Sequence, residues 1–432
     1  MYARRRPRGR WAVGALVLAL LISGGVALAV LAPSWFRSSG SGPTASPTPS
    51  TPPCPSAQLA DRDRLGSVVW VDGGTLHLLD LDTCDERTLV AGGAAPPVRF
   101  SADGRWVAFG QGSFVPAAGG TVVPPAAGPL TAWGWSPSND TLAGVTAKGG
   151  VVIVEPTQGP RVLLRDGSHA GHVAFAPDGR SLAVDLGGDR VAVVNVGGGP
   201  PRTIYRVSSG TKAPPQVSGW SPDGKWILFF SRFPGRGGIP LNAAPVSGGN
   251  WFNVFDPVLP YDDFVSWCGH QLVVAGGADQ TPSVGDQLLL SGPPGWRYHN
   301  LSNDFARSWF WPACSPDGGR IAATVTVNHT ETPPGHGTRS IWLLATDGSH
   351  RSRLTASAKA AFELPRWSAD GRFLLVVRRG VEPTAPGSLL LYRVDPSGKT
   401  TRAKGAIARL GPAPGTDGHT DWSAVTDWYR PG

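Results

Sequence analysis

One short phrase recurs along this chain and constrains its fold more than any other feature. It reads FSADGRWVAFG from Phe100, FAPDGRSLAVD from Phe175, WSPDGKWILFF from Trp220, CSPDGGRIAAT from Cys314 and WSADGRFLLVV from Trp367. Weaker copies start at Trp135 (WSPSNDTLAGV) and Trp267 (WCGHQLVVAGG), so the phrase returns every 35 to 55 residues. A repeat of that period is one supersecondary unit stacked many times, each copy burying its neighbour's apolar surface.

Each copy runs from an apolar strand ending in a large aromatic, through Ser-x-Asp-Gly, into a second apolar strand. Asp hydrogen-bonds the backbone of a turn and Gly takes positive φ without strain, so the phrase is a hairpin. Asp103, Gly104, Asp178, Gly179, Asp223, Gly224, Asp317, Gly318, Asp370 and Gly371 are therefore read as structural turn formers, with no catalytic or metal-binding role.

A second phrase completes the unit: TLHLLDLDTCDERTLV from Thr75, VVIVEPTQGPRVLL from Val151, VAVVNVGGGPPRTIY from Val191, SIWLLATDGSHRSRLT from Ser340 and LLLYRVDPSGKTTRA from Leu389. These supply third and fourth strands around a polar turn. Four antiparallel strands per repeat make the blade of a β-propeller, so the expected fold is all-β. Inner strands ending at Phe100, Trp135, Phe175, Trp220, Trp267, Cys314, Trp367 and Trp422 give eight blades. Seven remains the alternative, because the copy at Trp267 lacks Asp-Gly and the unit at Phe100 is short. The first repeat, SVVWVDGGTLHLLDL, lacks an inner strand before it, and GHTDWSAVTDWYRPG has nothing after it. The two termini are expected to complete one blade together and close the ring, which removes an exposed edge.

Residues 66 to 428 resemble the TolB-like group of WD-repeat-like β-propellers, on the phrases WSPDGKWILFF, FAPDGRSLAVD and WSADGRFLLVV. The resemblance implies the fold. It does not imply one function, since members include periplasmic scaffolds, exported binding proteins and noncatalytic domains of peptidases.

The formal charge of +8 invites a nucleic-acid reading, but Arg4, Arg5, Arg6, Arg8 and Arg10 supply five of those charges. They precede WAVGALVLALLISGGVALAVLA, an uncharged run of 22 residues that spans about 33 Å as a helix. Arginine on one flank places the N-terminus in the cytoplasm and the rest outside. The organisation expected is a cytoplasmic basic segment (1–10), a transmembrane signal anchor (11–32), a Pro/Ser/Thr-rich extracytoplasmic linker (33–60) and the propeller (61–432). Ala27-Leu28-Ala29 leaves cleavage as a signal peptide open. The linker would hold the propeller on the order of 50 Å from the membrane at about 3.1 Å per residue.

Cys54, Cys84, Cys268 and Cys314 are even in number and, if exported, sit where disulfides form. Three pairings exist; Cys54 with Cys84 and Cys268 with Cys314 is the expected one. The chain contains no Gly-x-Ser-x-Gly nucleophile elbow, no His-Glu-x-x-His and no Asp-rich calcium loop, so no cofactor or metal is expected. Asp256, Asp262 and Asp263 in DPVLPYDDF, and His329 and His336 in VNHTETPPGHGTRS, are candidates for a channel-mouth site because long loops often carry function. Trp296, Trp309 and Trp311 are candidates for stacking on sugar, against a role in the core.

The expected function is that of a monomeric, non-enzymatic scaffold of the bacterial cell envelope that binds protein or glycan, not nucleic acid. A glycan-binding module, or a lyase or quinone-dependent enzyme at the channel mouth, is the alternative.

Overall fold

A computed structural model describes residues 65–431 apart from 208–213, 232–238, 259–263, 278–285, 328–336, 404, 414 and 417–418. The basic segment, the apolar run 11–32, the linker and Cys54 lie outside the described residues. Among the described residues, no helix is long and apolar enough to cross a membrane.

The strands form eight blades, which decides against seven. Blades 3 and 4 show the unit: Leu130–Trp135, Leu142–Thr146, Val151–Glu155 and Gln158–Leu164, then Ala170–Phe175, Ser181–Leu186, Arg190–Asn195 and Arg202–Arg206. Blades 5, 6, 7 and 8 begin with inner strands Pro215–Trp220, Val265–Cys268, Ser308–Cys314 and Ala361–Trp367. Blade 2 is the short one. It has Val98–Phe100, Trp106–Phe109 and Ser113–Pro116, and its fourth strand is reduced to a bridge between Phe114 and Val123.

Blade 1 is built from both ends of the chain. Thr426–Tyr429 is its inner strand, hydrogen-bonded to Ser67–Asp72, which is followed outward by Thr75–Asp80 and Glu86–Val90. The inner strand thus carries Trp428 as its aromatic, and Trp422 is not on it. Trp422 lies one step earlier, on the helical turn α1 (Trp422–Val425), whose N-cap Asp421 accepts from Ala424 N.

The strands after each turn do not alternate between core and solvent, because a blade has a neighbour on both faces. In Trp226–Ser231, Ile227 and Phe229 pack with Ala183 and Val191 of blade 4, whereas Leu228 and Phe230 pack with Leu272 and Val274 of blade 6. Val68 and Trp70 likewise face blade 8 through Phe373, and Val69 and Val71 face blade 2 through Val107. The period of two selects the neighbour, and each fully buried side chain contributes about 1.5–3 kcal/mol.

Inner-strand tryptophans lace neighbouring blades together. The indole N–H groups of Trp135, Trp220 and Trp367 donate to the carbonyls of Arg99, Ala174 and Ala313, each on the preceding inner strand, at 3.2, 3.0 and 3.0 Å. In blade 7 the aromatic is replaced by Cys314, and there the tie to blade 6 is covalent, through a disulfide to Cys268 with a Cα–Cα distance of 5.3 Å. Cys84 is also disulfide-bonded.

Candidate functional site

The Ser-x-Asp-Gly turns satisfy themselves. In the turns at Asp103, Asp223, Asp317 and Asp370, Oδ1 accepts from the serine two residues before it, at 2.8, 2.6, 2.5 and 2.5 Å. The same oxygen accepts the backbone N–H two residues on, at 2.9, 3.1, 3.0 and 3.0 Å. Asp178 keeps only the second bond, from Arg180 N, because Ala176 stands where the serine would be. Gly104, Gly179, Gly224, Gly318 and Gly371 follow at φ of 72°, 69°, 69°, 71° and 69°. The serine hydroxyl holds the Asp223 and Asp317 carboxyls below the usual range. At Asp103 burial pushes the other way, yet the hydrogen bonds from Arg105 N and Ser101 bring it to about 2. These carboxylates are spent on their own turns, at the C-terminal ends of the inner strands.

The N-terminal ends of the inner strands carry the site. There a cavity of about 820 Å³ opens at the channel mouth across blades 2 to 5, lined by Pro97, Phe109, Leu130, Trp133, Val217 and His172, among others. It lies within the ordinary size range of ligand pockets, about 300–1,000 Å³. Its wall is a near-even mix of apolar and polar surface, with Gln111, Ser113, Thr131 and Ser218 as neutral polar groups. Trp133 presents its ring to the cavity while its indole N–H is committed to Gly110 O at 2.8 Å.

His172 is the one titratable side chain among the described lining residues, and Asp185 fixes its ring. Asp185 lies on Ser181–Leu186 and is 5% exposed. Its Oδ1 accepts from Gly171 N at 2.7 Å and His172 N at 2.8 Å. Oδ2 lies 2.9 Å from His172 Nδ1 and accepts Val217 N at 3.1 Å, so one carboxylate ties the inner strands of blades 4 and 5. A Cβ at Gly171 would stand 2.6 Å from Asp185 Oδ1, which is why glycine is needed there. A carboxylate can only accept, so Nδ1 carries a proton, and in the neutral imidazole Nε2 is then the acceptor. The ring is 45% exposed in the cavity wall, with its orientation fixed by Asp185.

The opposite arc of the channel is charged and closed on itself. The residue before the terminal aromatic is Gly134, Ala174 and Gly219 in blades 3 to 5, but Arg366, Asp427 and Arg99 in blades 8, 1 and 2. Arg366 Nη1 donates to Thr426 O at 3.0 Å and lies 3.6 Å from Asp427 Oδ1; Asp427 Oδ2 accepts Phe100 N at 2.9 Å. Arg99 donates to Val98 O and Ser423 O. Behind them, fully buried Glu363 accepts from Arg339 at 2.8 Å, Arg379 at 2.7 Å and the Trp422 indole at 2.6 Å. Burial pushes the Glu363 carboxyl up, and the two guanidiniums outweigh it and hold it below the usual range. This arc seals the closing blade, and the inner strands of blades 3 to 5 carry small residues at the same position.

The loop candidates fall elsewhere. Asp262, Asp263, His329 and His336 lie outside the described residues, and Asp256 is exposed on the outer strand Phe252–Val258 of blade 5. Trp296, Trp309 and Trp311 are buried at 3%, 1% and 2% exposure, so none offers a face to sugar. No group of three or more His, Cys, Asp or Glu residues suited to a metal occurs among the described residues. Sequence reading missed His172 and Asp185. The available signal was an acid inside the apolar strand SLAVDL, in the same repeat as a histidine on the inner strand.

No family model matches the chain, and no curated protein matches it. Among solved structures it is similar to a eukaryotic initiation factor, at 14% identity and a TM-score of 0.52, over 81% of this chain and 88% of that one. It is also similar to dipeptidyl peptidase 4 of Porphyromonas gingivalis, at 13% identity and a TM-score of 0.51, over 72% of this chain and 53% of the peptidase. The chain thus spans about half the length of that enzyme. A putative TolB from Agrobacterium tumefaciens is 20% identical over 62% of this chain and 94% of its own, with a TM-score of 0.38. At these identities the likeness to the first two shows the β-propeller fold, and the third adds nothing to that.

Proposed function

We propose that this chain is an exported, membrane-anchored propeller that binds another component of the bacterial cell envelope at its channel mouth without catalysing a reaction. The arginines at 4 to 10, the apolar run 11–32 and the Pro-rich linker support export and anchoring. The observation that carries the binding reading is the cavity across blades 2 to 5. It is concave, of ligand size, lined by apolar and polar groups in near-equal measure, and mounted on inner strands held by backbone hydrogen bonds. What favours binding over turnover is the lining, which offers one titratable side chain where acid–base catalysis ordinarily uses a matched pair. The His172–Asp185 pair is also the feature that favours an enzymatic second reading.

The test is capture of envelope material by the full-length protein and by Val217→Arg, which fills the cavity. Wild type should retain envelope fragments that Val217→Arg does not, and mass spectrometry should recover them unaltered. Equal capture by both proteins would place the binding site elsewhere, and chemically altered fragments would make the protein an enzyme.

A further inference from the structure

We infer that the channel-mouth cavity takes a neutral saccharide, with His172 Nε2 accepting a hydrogen bond from a sugar hydroxyl and Trp133 stacking against the ring. This rests on the binding reading above and names its ligand class.

Three observations carry it. The first is charge. Among the described residues the lining contains no Lys, Arg, Asp or Glu, so neither an anionic nor a cationic ligand finds a fixed counter-charge there. Asp185 does not supply one. A carboxylate has about four acceptor sites, and four donors from Gly171, His172 and Val217 already fill those of Asp185.

The second is the acceptor. Buried Asp185 holds the ring through Nδ1, so the neutral imidazole offers Nε2 as an acceptor in the cavity wall, with no partner among the described residues. A hydroxyl is a neutral donor that such an acceptor takes; Ser113 and Gln111 add groups able to both give and accept hydrogen bonds, and Thr131, whose hydroxyl donates to Val145 O at 3.3 Å, adds an acceptor.

The third is the apolar wall. Because the Trp133 N–H is spent on Gly110, its ring contributes only apolar and π surface. A pyranose carries C–H bonds on its faces and hydroxyls on its rim, so one ligand class uses both the negative face of the ring and the polar rim of the cavity. A proline-rich peptide would use the apolar wall but bring no donor to Nε2.

Calorimetry on the full-length protein tests this. The probes are maltotetraose, cellotetraose and the tetramer of N-acetylglucosamine, against tetragalacturonate, the glucosamine tetramer and a proline-rich peptide. At least one neutral tetramer should bind, and the charged tetramers and the peptide at least ten-fold more weakly. His172→Phe should weaken the neutral tetramer about ten-fold, the order expected for leaving a buried polar group unpaired, while His172→Gln, which keeps an acceptor, stays within about three-fold. If His172→Phe melts early, movement of the His172 Nε2 resonance on adding the tetramer replaces it, and a stationary resonance overturns the inference. Binding to His172→Phe at wild-type strength, or preference for a charged tetramer or the peptide, also overturns it. If no tetramer binds while Val217→Arg still abolishes envelope capture, the saccharide is wrong and the binding site stands. If Val217→Arg captures envelope normally, the site itself is wrong.

Discussion

Trp428 donates its indole N–H to the carbonyl of Leu65 at 2.7 Å, so the last strand is fastened to the residue that leads into the first. The same strand adds Thr426 Oγ1 to Val69 O at 2.9 Å and four pairs with Ser67–Trp70. Deleting residues 426 to 432 should therefore unfasten a ring of eight blades, although it removes only the end of the chain. Differential scanning calorimetry should show aggregation or a marked fall in melting temperature, and Trp428→Ala alone should cost about 3–5 kcal/mol. Melting like that of the full chain would mean that the ring does not depend on this strand.

The turn glycines should differ in a defined order. Gly224 needs positive φ, but a Cβ there would meet only Pro177 at 3.8 Å, so Gly224→Ala should cost about 1–2 kcal/mol of backbone strain. At Gly179 a Cβ would also meet Ser138 Oγ at 2.1 Å, so Gly179→Ala should cost more. Lys225→Ala should be near neutral. Chemical denaturation ranks the three, and the reverse order would contradict the turn geometry.

Ser221→Ala should raise the titration midpoint of Asp223, because the Ser221 hydroxyl is the leading cause of its depression. A carboxyl with a depressed folded value contributes stability that is complete above the ordinary carboxylate pKa and is lost as pH falls through the depressed value. The stability gap between wild type and Ser221→Ala should therefore be wider at pH 7 than in strong acid. Carbon-13 titration of the Asp223 carboxyl checks the midpoint, and an unmoved value would show that the serine does not set it.

Glu363→Gln should destabilise the closing seam by about 3–5 kcal/mol, since it removes the buried charge to which the guanidiniums of Arg339 and Arg379 both donate. Trp422→Phe, which removes one donor to Glu363, should cost about 1–3 kcal/mol. Denaturation at neutral pH measures both, and a Glu363→Gln variant as stable as wild type would refute a sealing role.

The double variant Cys268→Ser with Cys314→Ser should lose about 2–4 kcal/mol, because it cuts the covalent inter-blade tie at that position and leaves the hydrogen bond from Cys314 N to Ser266 Oγ at 3.0 Å. Reduction of wild type should lower its melting temperature, whereas any further loss in the double variant would come from Cys84.

The blades were legible because Asp-Gly after an aromatic marks a hairpin wherever it falls, and the strand order follows from closing such units into a ring. Trp422 misled because it and Trp428 are aromatics six residues apart, and the four-residue turn between them has no periodic signature. Strands such as Trp226–Ser231 read as alternating, yet both faces are buried, since a blade is packed on two sides. His172 and Asp185 were not legible as a pair. They stand 13 residues apart, and what joins them is the antiparallel pairing of Ala170–Phe175 with Ser181–Leu186, interrupted by a register shift after Ala170. The cavity draws on four blades, and no local pattern announces it.

Hydrogen exchange with a muramidase digest of envelope material tests most directly whether this propeller binds at its channel mouth. New protection is predicted at 93–97, 109–113, 130–133, 171–173 and 216–218 of the full-length protein, with the charged arc at Arg366 and Asp427 unchanged. Protection confined instead to the outer strands, such as Phe252–Val258, would contradict the account.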